Sequence, residues 1–189
     1  MVVGDKFLYS VKMYADNTLT PKEVARLCAL GTLADQADLP YSELAASIRY
    51  FIDRIQGPSL DVLGSSIELL KYEGLVLTTD KNGETCLSLS ERGLRELHVL
   101  LKAQIRPGAT DLNKLIISLK FRFLHLLNGN ERAVQIEVLL DTVEVELARF
   151  EDLREHHADV SGYLLAWLDQ EIRELSTRAS WLKQVLVSQ

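Results

Sequence analysis

Hydroxyl, amide and basic side chains recur in three short segments of this chain, near residues 41–49, 59–71 and 81–82. Such groups donate hydrogen bonds to nucleic-acid phosphates and to base edges. The candidates for nucleic-acid contact are Tyr41, Ser42, Arg49, Ser59, Ser65, Ser66, Lys71, Lys81 and Asn82. Arg54 is a further candidate for a phosphate contact. Each segment also has a simpler interpretation, namely a solvated helix face or a plain turn without any ligand.

The overall charge weighs against nucleic-acid contact. The formal net charge is −6, and residues 1–105 carry 11 Lys and Arg against 14 Asp and Glu, which gives −3. Nucleic-acid binders usually present a basic stripe, because phosphate neutralisation and counterion release supply most of their affinity. Asp61 and Glu68 share one predicted helix with Lys71. Local fields matter more than the sum, so composition disfavours this chemistry without excluding it.

Three predicted helices precede the turn that contains Lys81. A Thr-Pro-Lys-Glu start at Thr20 predicts a capped helix that ends near Ala34. Pro40 begins a second helix, and Gly57 ends it. A third helix covers about 59–72, and the apolar residues that would face inward are Leu60, Leu63, Ile67 and Leu70.

A hairpin and a fourth helix come next. Leu75–Thr79 and Thr85–Leu89 alternate as strands do, and the Asn-Gly pair at residues 82–83 is the strongest short hairpin signal. The wing-like turn is thus expected at about residues 80–84. Ser90 is placed to cap the fourth helix, whose inward residues would be Leu94, Leu97, Leu100 and Leu101.

The second half of the chain is predicted to be helical throughout. The break at residues 106–110 predicts a boundary between domains 1–105 and 106–189. A helix over Leu112–Leu127, a turn at residues 128–130 and two long helices with heptad spacing follow. Each of these two helices carries an apolar stripe, here called a heptad seam. The seams would be exposed unless a second chain covers them, which predicts a homodimer. The candidate dimer contacts are Ile136, Leu140, Val143, Leu147, Leu168, Ile172, Leu175, Ala179, Trp181 and Leu182.

Several other function classes are disfavoured by the sequence. The chain lacks an apolar run of about 18 to 20 residues, and its start does not resemble a signal peptide, so we expect a cytoplasmic protein without a membrane span. Cys28 and Cys86 have no ligand partners at metal-binding spacing. Adjacent histidines at 156–157 point about 100° apart on a helix, so we expect no metal site. Phosphate loops and nucleophile elbows are missing, so we expect neither an enzyme nor a cofactor.

Two runs resemble the PadR family of transcriptional regulators, and more closely its AphA-like branch. The first is Glu73-Gly74-Leu75-Val76 after the third helix, and the second is residues 87–93, Leu-Ser-Leu-Ser-Glu-Arg-Gly, before the fourth. The closing helix, with its Ala-Ser-Trp-Leu at residues 179–182, and the region from 120 to 150 also resemble this family. The likeness covers roughly residues 20–186.

This resemblance implies a mainly α-helical fold, with a winged helix-turn-helix domain followed by a C-terminal, coiled-coil-like dimerisation domain. It also implies a homodimer that presents two winged helices to a palindromic operator in double-stranded DNA, often as a repressor, and in some members a small-molecule effector. Tyr14, Phe121, Phe123 and Trp167 are candidates for an aromatic effector pocket or, more simply, for the core. An alternative is a winged-helix protein-interaction module that has lost DNA binding, because Asp61 replaces an uncharged residue of the family pattern.

Overall fold

The computed structural model describes residues 18–57, 64–81, 83–105, 111–157 and 162–188. In chain order the elements are α1 (Pro21–Asp35), β1 (Leu39–Pro40), α2 (Tyr41–Gln56), α3 (Gly64–Tyr72), β2 (Val76–Lys81), β3 (Glu84–Leu89), α4 (Glu91–Leu101), α5 (Asp111–Phe123), α6 (Gly129–His156) and α7 (Leu164–Val187). A short 3-10 turn, Leu124–Leu126, follows α5. The fold is mainly helical with one small sheet, as predicted.

Side-chain caps fix the predicted helix starts. The Thr20 hydroxyl accepts from the backbone N–H of Glu23, and the Glu23 carboxylate accepts from the Thr20 N–H at 2.7 Å. This reciprocal capping box stabilises the first turn of α1. Ser90 caps α4 in the same manner by accepting from the N–H of Gly93 at 2.9 Å. Both predicted starts are confirmed.

The three strands form an antiparallel sheet in the order β1-β3-β2. In the hairpin, Val76 pairs with Leu89 and Lys81 pairs with Glu84, so the chain reverses between Lys81 and Glu84, as predicted. The strand β1 was not predicted, because its two residues are too short for any periodic signal; Leu39 pairs with Leu87. Helix, strand, two helices and a two-stranded ribbon in this order make a winged helix-turn-helix.

The first compact unit contains α1 to α5 and the sheet, with α1 at its centre. Leu27 and Leu30 of α1 are fully buried, as are Leu44 and Ile48 of α2. The prediction for Leu94 was wrong, because this side chain is 44 % exposed. The other three predicted inward residues of α4, Leu97, Leu100 and Leu101, are buried.

The second compact unit contains α6 and α7, which pack against each other. The predicted turn at residues 128–130 was wrong, because Asn128 is the N-cap of α6 and accepts from the Glu131 N–H at 2.9 Å. A Lys183–Glu144 ion pair at 2.8 Å joins the two helices. The edge of Phe150 also meets Trp167, with 5.7 Å between ring centroids.

The units divide between Leu127 and Asn128, whereas the sequence predicted a boundary after residue 105. The difference lies in α5, which packs on α1 and α2 and thus belongs to the first unit. At this contact a Cβ added to Gly31 would lie 2.5 Å from the Phe123 ring, so glycine is what allows α5 to approach α1. The linker composition at 106–110 marks a break between helices, but tertiary packing sets the boundary.

Candidate nucleic-acid interface

The wing is a tight hairpin whose turn is fixed by Asp80 and Gly83. The Gly83 N–H donates to Asp80 Oδ1 at 2.9 Å, and Gly83 has φ +81°, a conformation that glycine adopts without strain. Lys81 ends β2 at this turn and is exposed. Asn82 lies outside the described residues. The structure thus places Lys81 at the end of the wing, where a DNA contact was predicted.

The Lys81 side chain forms an ion pair within the protein. Its ammonium lies 2.8 Å from the Asp38 carboxylate, in the loop between α1 and β1. The hydrogen bond to Asp38 raises the pKa of Lys81 above its ordinary value, so the lysine remains charged but is locally neutralised. Asp38 has φ +59°, a left-handed conformation that Asp and Asn tolerate better than most residues. A phosphate would therefore compete with this carboxylate.

Helix α3 exposes both charged and apolar side chains. Ile67 and Leu70 are buried, as predicted, and the opposite side exposes Glu68, Leu69 and Tyr72, which is 91 % exposed. Lys71 lies 3.3 Å from the Glu68 carboxylate one turn earlier. Of the predicted contacts, Ser59 lies outside the described residues, and so do the side chains of Ser65 and Ser66.

Hydrogen bonds from Ser90, at the start of α4, fix the segment that follows α3. The Ser90 hydroxyl lies within hydrogen-bond distance of the carbonyl oxygens of Gly74 (2.8 Å) and Leu75 (2.9 Å), and the Ser90 N–H also donates to Leu75. Gly74 has φ +70°, which lets the chain reverse into β2. The two runs that carry the PadR-like resemblance are thus in direct contact.

Arg26 of α1 tightens the same region. Its guanidinium pairs with Glu73 at 2.8 Å and with Glu96 of α4 at 3.0 Å, and all three side chains are largely buried. Arg26 thereby connects the central helix α1 to Glu73, directly after α3, and to the middle of α4. This ion-pair network connects the end of α3 to α1 and α4, although sequence spacing gives no sign of it.

Helix α2 exposes the other predicted contacts. Tyr41, Ser42 and Arg49 are all exposed. The predicted Arg54 is also exposed, and its guanidinium lies 5.0 Å from the ring centroid of Tyr50, a residue that was not predicted. The spacing of four residues between an aromatic and an arginine could have indicated this pair.

The other side of α2 is held by α5. The Arg122 guanidinium stacks on the rings of Phe51 (4.7 Å) and Phe123 (4.9 Å), and it donates to the Ser47 hydroxyl at 3.5 Å. Phe123 is fully buried and is therefore a core residue in the structure. Of the other effector candidates, Phe121 is half-buried, Trp167 is part of the second unit, and Tyr14 lies outside the described residues. The effector stays a prediction.

The predicted dimer contacts separate into two groups. Six of them are buried within the single chain by the packing of α6 on α7: Ile136, Val143, Leu168, Leu175, Ala179 and Leu182. Leu140, Leu147 and Ile172 are half-buried, and Trp181 is 47 % exposed. The two heptad seams largely cover each other, so a second chain would have to contact other surfaces of this unit, among them Trp181.

Within the described ranges, no cluster of three His, Cys, Asp or Glu side chains could hold a metal ion. Among the helices of that part of the chain, none combines the length and apolarity needed to cross a membrane.

This chain is similar to one family of known proteins and to several solved structures. A family model described as "Putative AphA-like transcriptional regulator" matches residues 14–186. Similar solved structures include Bacillus subtilis PadR in complex with operator DNA, at 18 % identity over 87 % of this chain and 98 % of that one, with a TM-score of 0.37. Its complex with p-coumaric acid has 17 % identity, coverage of 90 % and 98 %, and a TM-score of 0.39. The smu.1604c protein of Streptococcus mutans has 13 % identity, coverage of 89 % and 99 %, and a TM-score of 0.37. No curated protein matches.

Proposed function

Because this chain belongs to the AphA-like family of transcriptional regulators, we propose that it binds double-stranded DNA as a cytoplasmic homodimeric repressor. The observation that carries the proposal is the helix-turn-helix made by α2 and α3, followed by a hairpin wing. In this arrangement α3 enters the major groove of a palindromic operator and the first helix of the pair crosses the backbone. The wing then lies beside the phosphates.

A mobility-shift assay with the DNA upstream of its own gene tests this function. We expect a shifted band at low salt that weakens steeply as salt rises, because each phosphate contact releases counterions. Unrelated DNA of equal length is the control for specificity. Failure to shift the upstream DNA at low salt would overturn the proposal.

We expect the Asp38→Asn variant to bind DNA more tightly than the wild type. The substitution removes the carboxylate that neutralises Lys81, and Asn still tolerates the left-handed backbone at this position. A freed lysine on the wing adds about one phosphate contact, so affinity should rise roughly threefold or more at low salt. Fluorescence anisotropy with a labelled operator measures this change.

The matched control for this prediction is the double variant Asp38→Asn with Lys81→Gln. It should lose the gain, because the effect passes through the lysine. If Asp38→Asn alone leaves the affinity unchanged, Lys81 does not contact the backbone.

We also propose that the outward face of α7 contributes to the homodimer. Open hollows beside Trp181 are lined by Arg173 and Thr177, and Thr177 lies midway between the other two residues along the helix. An antiparallel pair of α7 helices with its twofold axis near Thr177 would place each Arg173 over the Trp181 of the partner subunit.

Light scattering on the Trp181→Glu variant tests this interface. The wild type should have about twice the chain mass of 21.3 kDa, and the variant should shift towards the single-chain mass. Tyr163→Glu is the control, since Tyr163 is exposed in the same unit. A variant that stays fully dimeric would place the interface elsewhere, and a monomeric wild type would remove the homodimer.

A second candidate function is supported by the exposed apolar side chains of α3 and β2. Leu69, Tyr72 and Leu77 are all exposed, next to the acid Glu68. A protein partner could bind such a surface, which would make the chain an interaction module that has lost DNA binding. Charge reversal of Asp61 or Glu68 should then abolish capture of that partner, whereas indifference to both reversals would count against this function.

A further inference from the structure

The basic groups of α3 and of the wing, as far as the structure describes them, are paired with acids. Lys71 pairs with Glu68 at 3.3 Å, and Lys81 pairs with Asp38 at 2.8 Å. A phosphate that approaches either lysine also approaches a carboxylate, so each pair offers little net attraction. If the first unit binds DNA, its phosphate attraction has to come mainly from another surface.

Helix α2 offers such a surface on its solvent side. Its inward stripe is Leu44, Ile48 and Ile52, and the opposite side exposes Arg49, Tyr50 and Arg54. Tyr50 and Arg54 are four residues apart and lie one above the other, and Arg49 lies about 100° around the helix axis from Tyr50, on the same solvent-exposed half of the helix. These three exposed side chains are here called the α2 face. The chemistry of this patch is two guanidinium groups and one phenol, all hydrogen-bond donors to phosphate.

The charges on the α2 face are not neutralised by neighbouring acids. Among the described residues, neither Arg49 nor Arg54 forms an ion pair, although Glu43 and Asp53 belong to the same helix. Arg54 instead lies over the Tyr50 ring, which is 66 % exposed. This contact holds the guanidinium at the protein surface, where Arg54 is exposed.

The position of α2 in the fold gives the α2 face a specific partner. It is the first helix of the helix-turn-helix pair, the one that crosses the DNA backbone when the second lies in the major groove. Arg122 of α5 stacks on Phe51, about one turn before Arg54, and fixes α2 to α5. The α2 face is therefore carried on a rigid element.

We propose that Arg49, Tyr50 and Arg54 form the main phosphate contact of the winged-helix unit. This inference rests on the proposed DNA binding, and it moves the phosphate contact from the wing to α2. Because phosphate contacts carry no sequence information, the α2 face should contribute equally to operator and to unrelated DNA.

The test is the salt dependence of DNA affinity for the full chain, measured by anisotropy with its own upstream duplex. Arg49→Gln and Arg54→Gln should each lower the magnitude of the slope of log affinity against log salt by about one. The double variant should bind roughly tenfold or more weakly to operator and to unrelated duplex alike. Tyr50→Ala should weaken binding less than Arg54→Gln, because it removes the ring but leaves the charge.

Two controls separate the α2 face from general charge effects. Arg95→Gln, on the exposed side of α4, should leave both affinity and slope unchanged. Lys71→Gln should reduce the slope by less than either α2 substitution, since Glu68 already neutralises that lysine. All five sites are at least partly exposed, and circular dichroism verifies that each variant is folded.

The outcomes distinguish this inference from the function on which it rests. A wild type that fails to bind any duplex at low salt overturns the proposed function and this inference with it. A wild type that binds, together with Arg49→Gln and Arg54→Gln variants of unchanged slope, overturns only the α2 face. Loss of slope in Lys71→Gln or Arg95→Gln equal to that in the α2 variants would also overturn it.

Discussion

Replacing Gly93 by alanine is expected to destabilise the winged-helix unit by about 3 kcal/mol or more, near the upper range for overpacking substitutions. A Cβ at this position would lie 2.1 Å from the carbonyl oxygen of Leu75 and 2.8 Å from Leu89 Cδ1. The first of these atoms belongs to the backbone, so no rotamer change relieves the clash. Helix α4 would have to move away and break the Ser90 hydrogen bonds to Gly74 and Leu75.

Urea denaturation of Gly93→Ala beside the wild type measures this effect. Gly129→Ala is the matched control, because Gly129 also lies in the first turn of a helix and a Cβ there would have nothing within 4 Å. Alanine has the higher helix propensity, so the control should be neutral or slightly stabilising. If Gly93→Ala unfolds at the same urea concentration as the wild type, the close approach of α4 to Leu75 is not as described.

The second large effect is a pH dependence of stability caused by Lys120. This side chain is fully buried in α5 and donates to the carbonyl of Leu101 at the end of α4. Burial lowers the pKa of its ammonium from 10.5 to about 7. Between these values the unfolded chain holds a proton that the folded chain has released, so the free energy of unfolding rises with pH.

That rise should be about 2 kcal/mol between pH 7 and pH 9 for a shift of this size. Lys120→Met should abolish it, whereas Lys114→Met, at an exposed site of the same helix, should preserve it. The slope of the free energy of unfolding against pH is the decisive measurement, because loss of the hydrogen bond to Leu101 changes stability by a similar amount at every pH. A Lys120→Met variant with the wild-type slope would contradict the assignment.

The measurement stops at pH 9 because of Cys28. Burial raises the pKa of this thiol to about 12. Above pH 9 the unfolded thiol ionises and the folded one does not, so the contribution of Cys28 makes stability fall as pH rises. The two groups thus act in opposite directions above that point, and they are separable below it.

Local signals explain why much of the fold was predictable. The Thr20 capping box, the Ser90 cap and the tight turn at Gly83 depend on residues that are close in sequence, and all were predicted correctly. The same signal misled at Asn128. An Asn-Gly-Asn run favours a turn, but Asn is also a good N-cap, and the packing of α6 on α7 selected the helix.

The interface was less predictable, because its charges are set by distant residues. Glu68 and Lys71 are about one helical turn apart, so their ion pair could be anticipated from the sequence. The Lys81–Asp38 pair joins residues 43 positions apart, and the Arg26 network spans α1, α3 and α4. In α7 the predicted stripe contains the buried residues Leu168, Leu175, Ala179 and Leu182, whereas in α6 Leu139 is buried and the predicted Leu140 and Leu147 are only half-buried. Periodicity alone could not tell that the two helices cover each other within one chain.

The mass of the protein–DNA complex tests the central claim most directly. Light scattering on the full chain mixed with the duplex upstream of its own gene, at low salt, reports binding and stoichiometry together. Two chains per duplex are predicted, that is, the duplex mass plus about twice 21.3 kDa. Protein and duplex that elute separately at their own masses would contradict DNA binding, and a complex with a single chain would contradict the dimer.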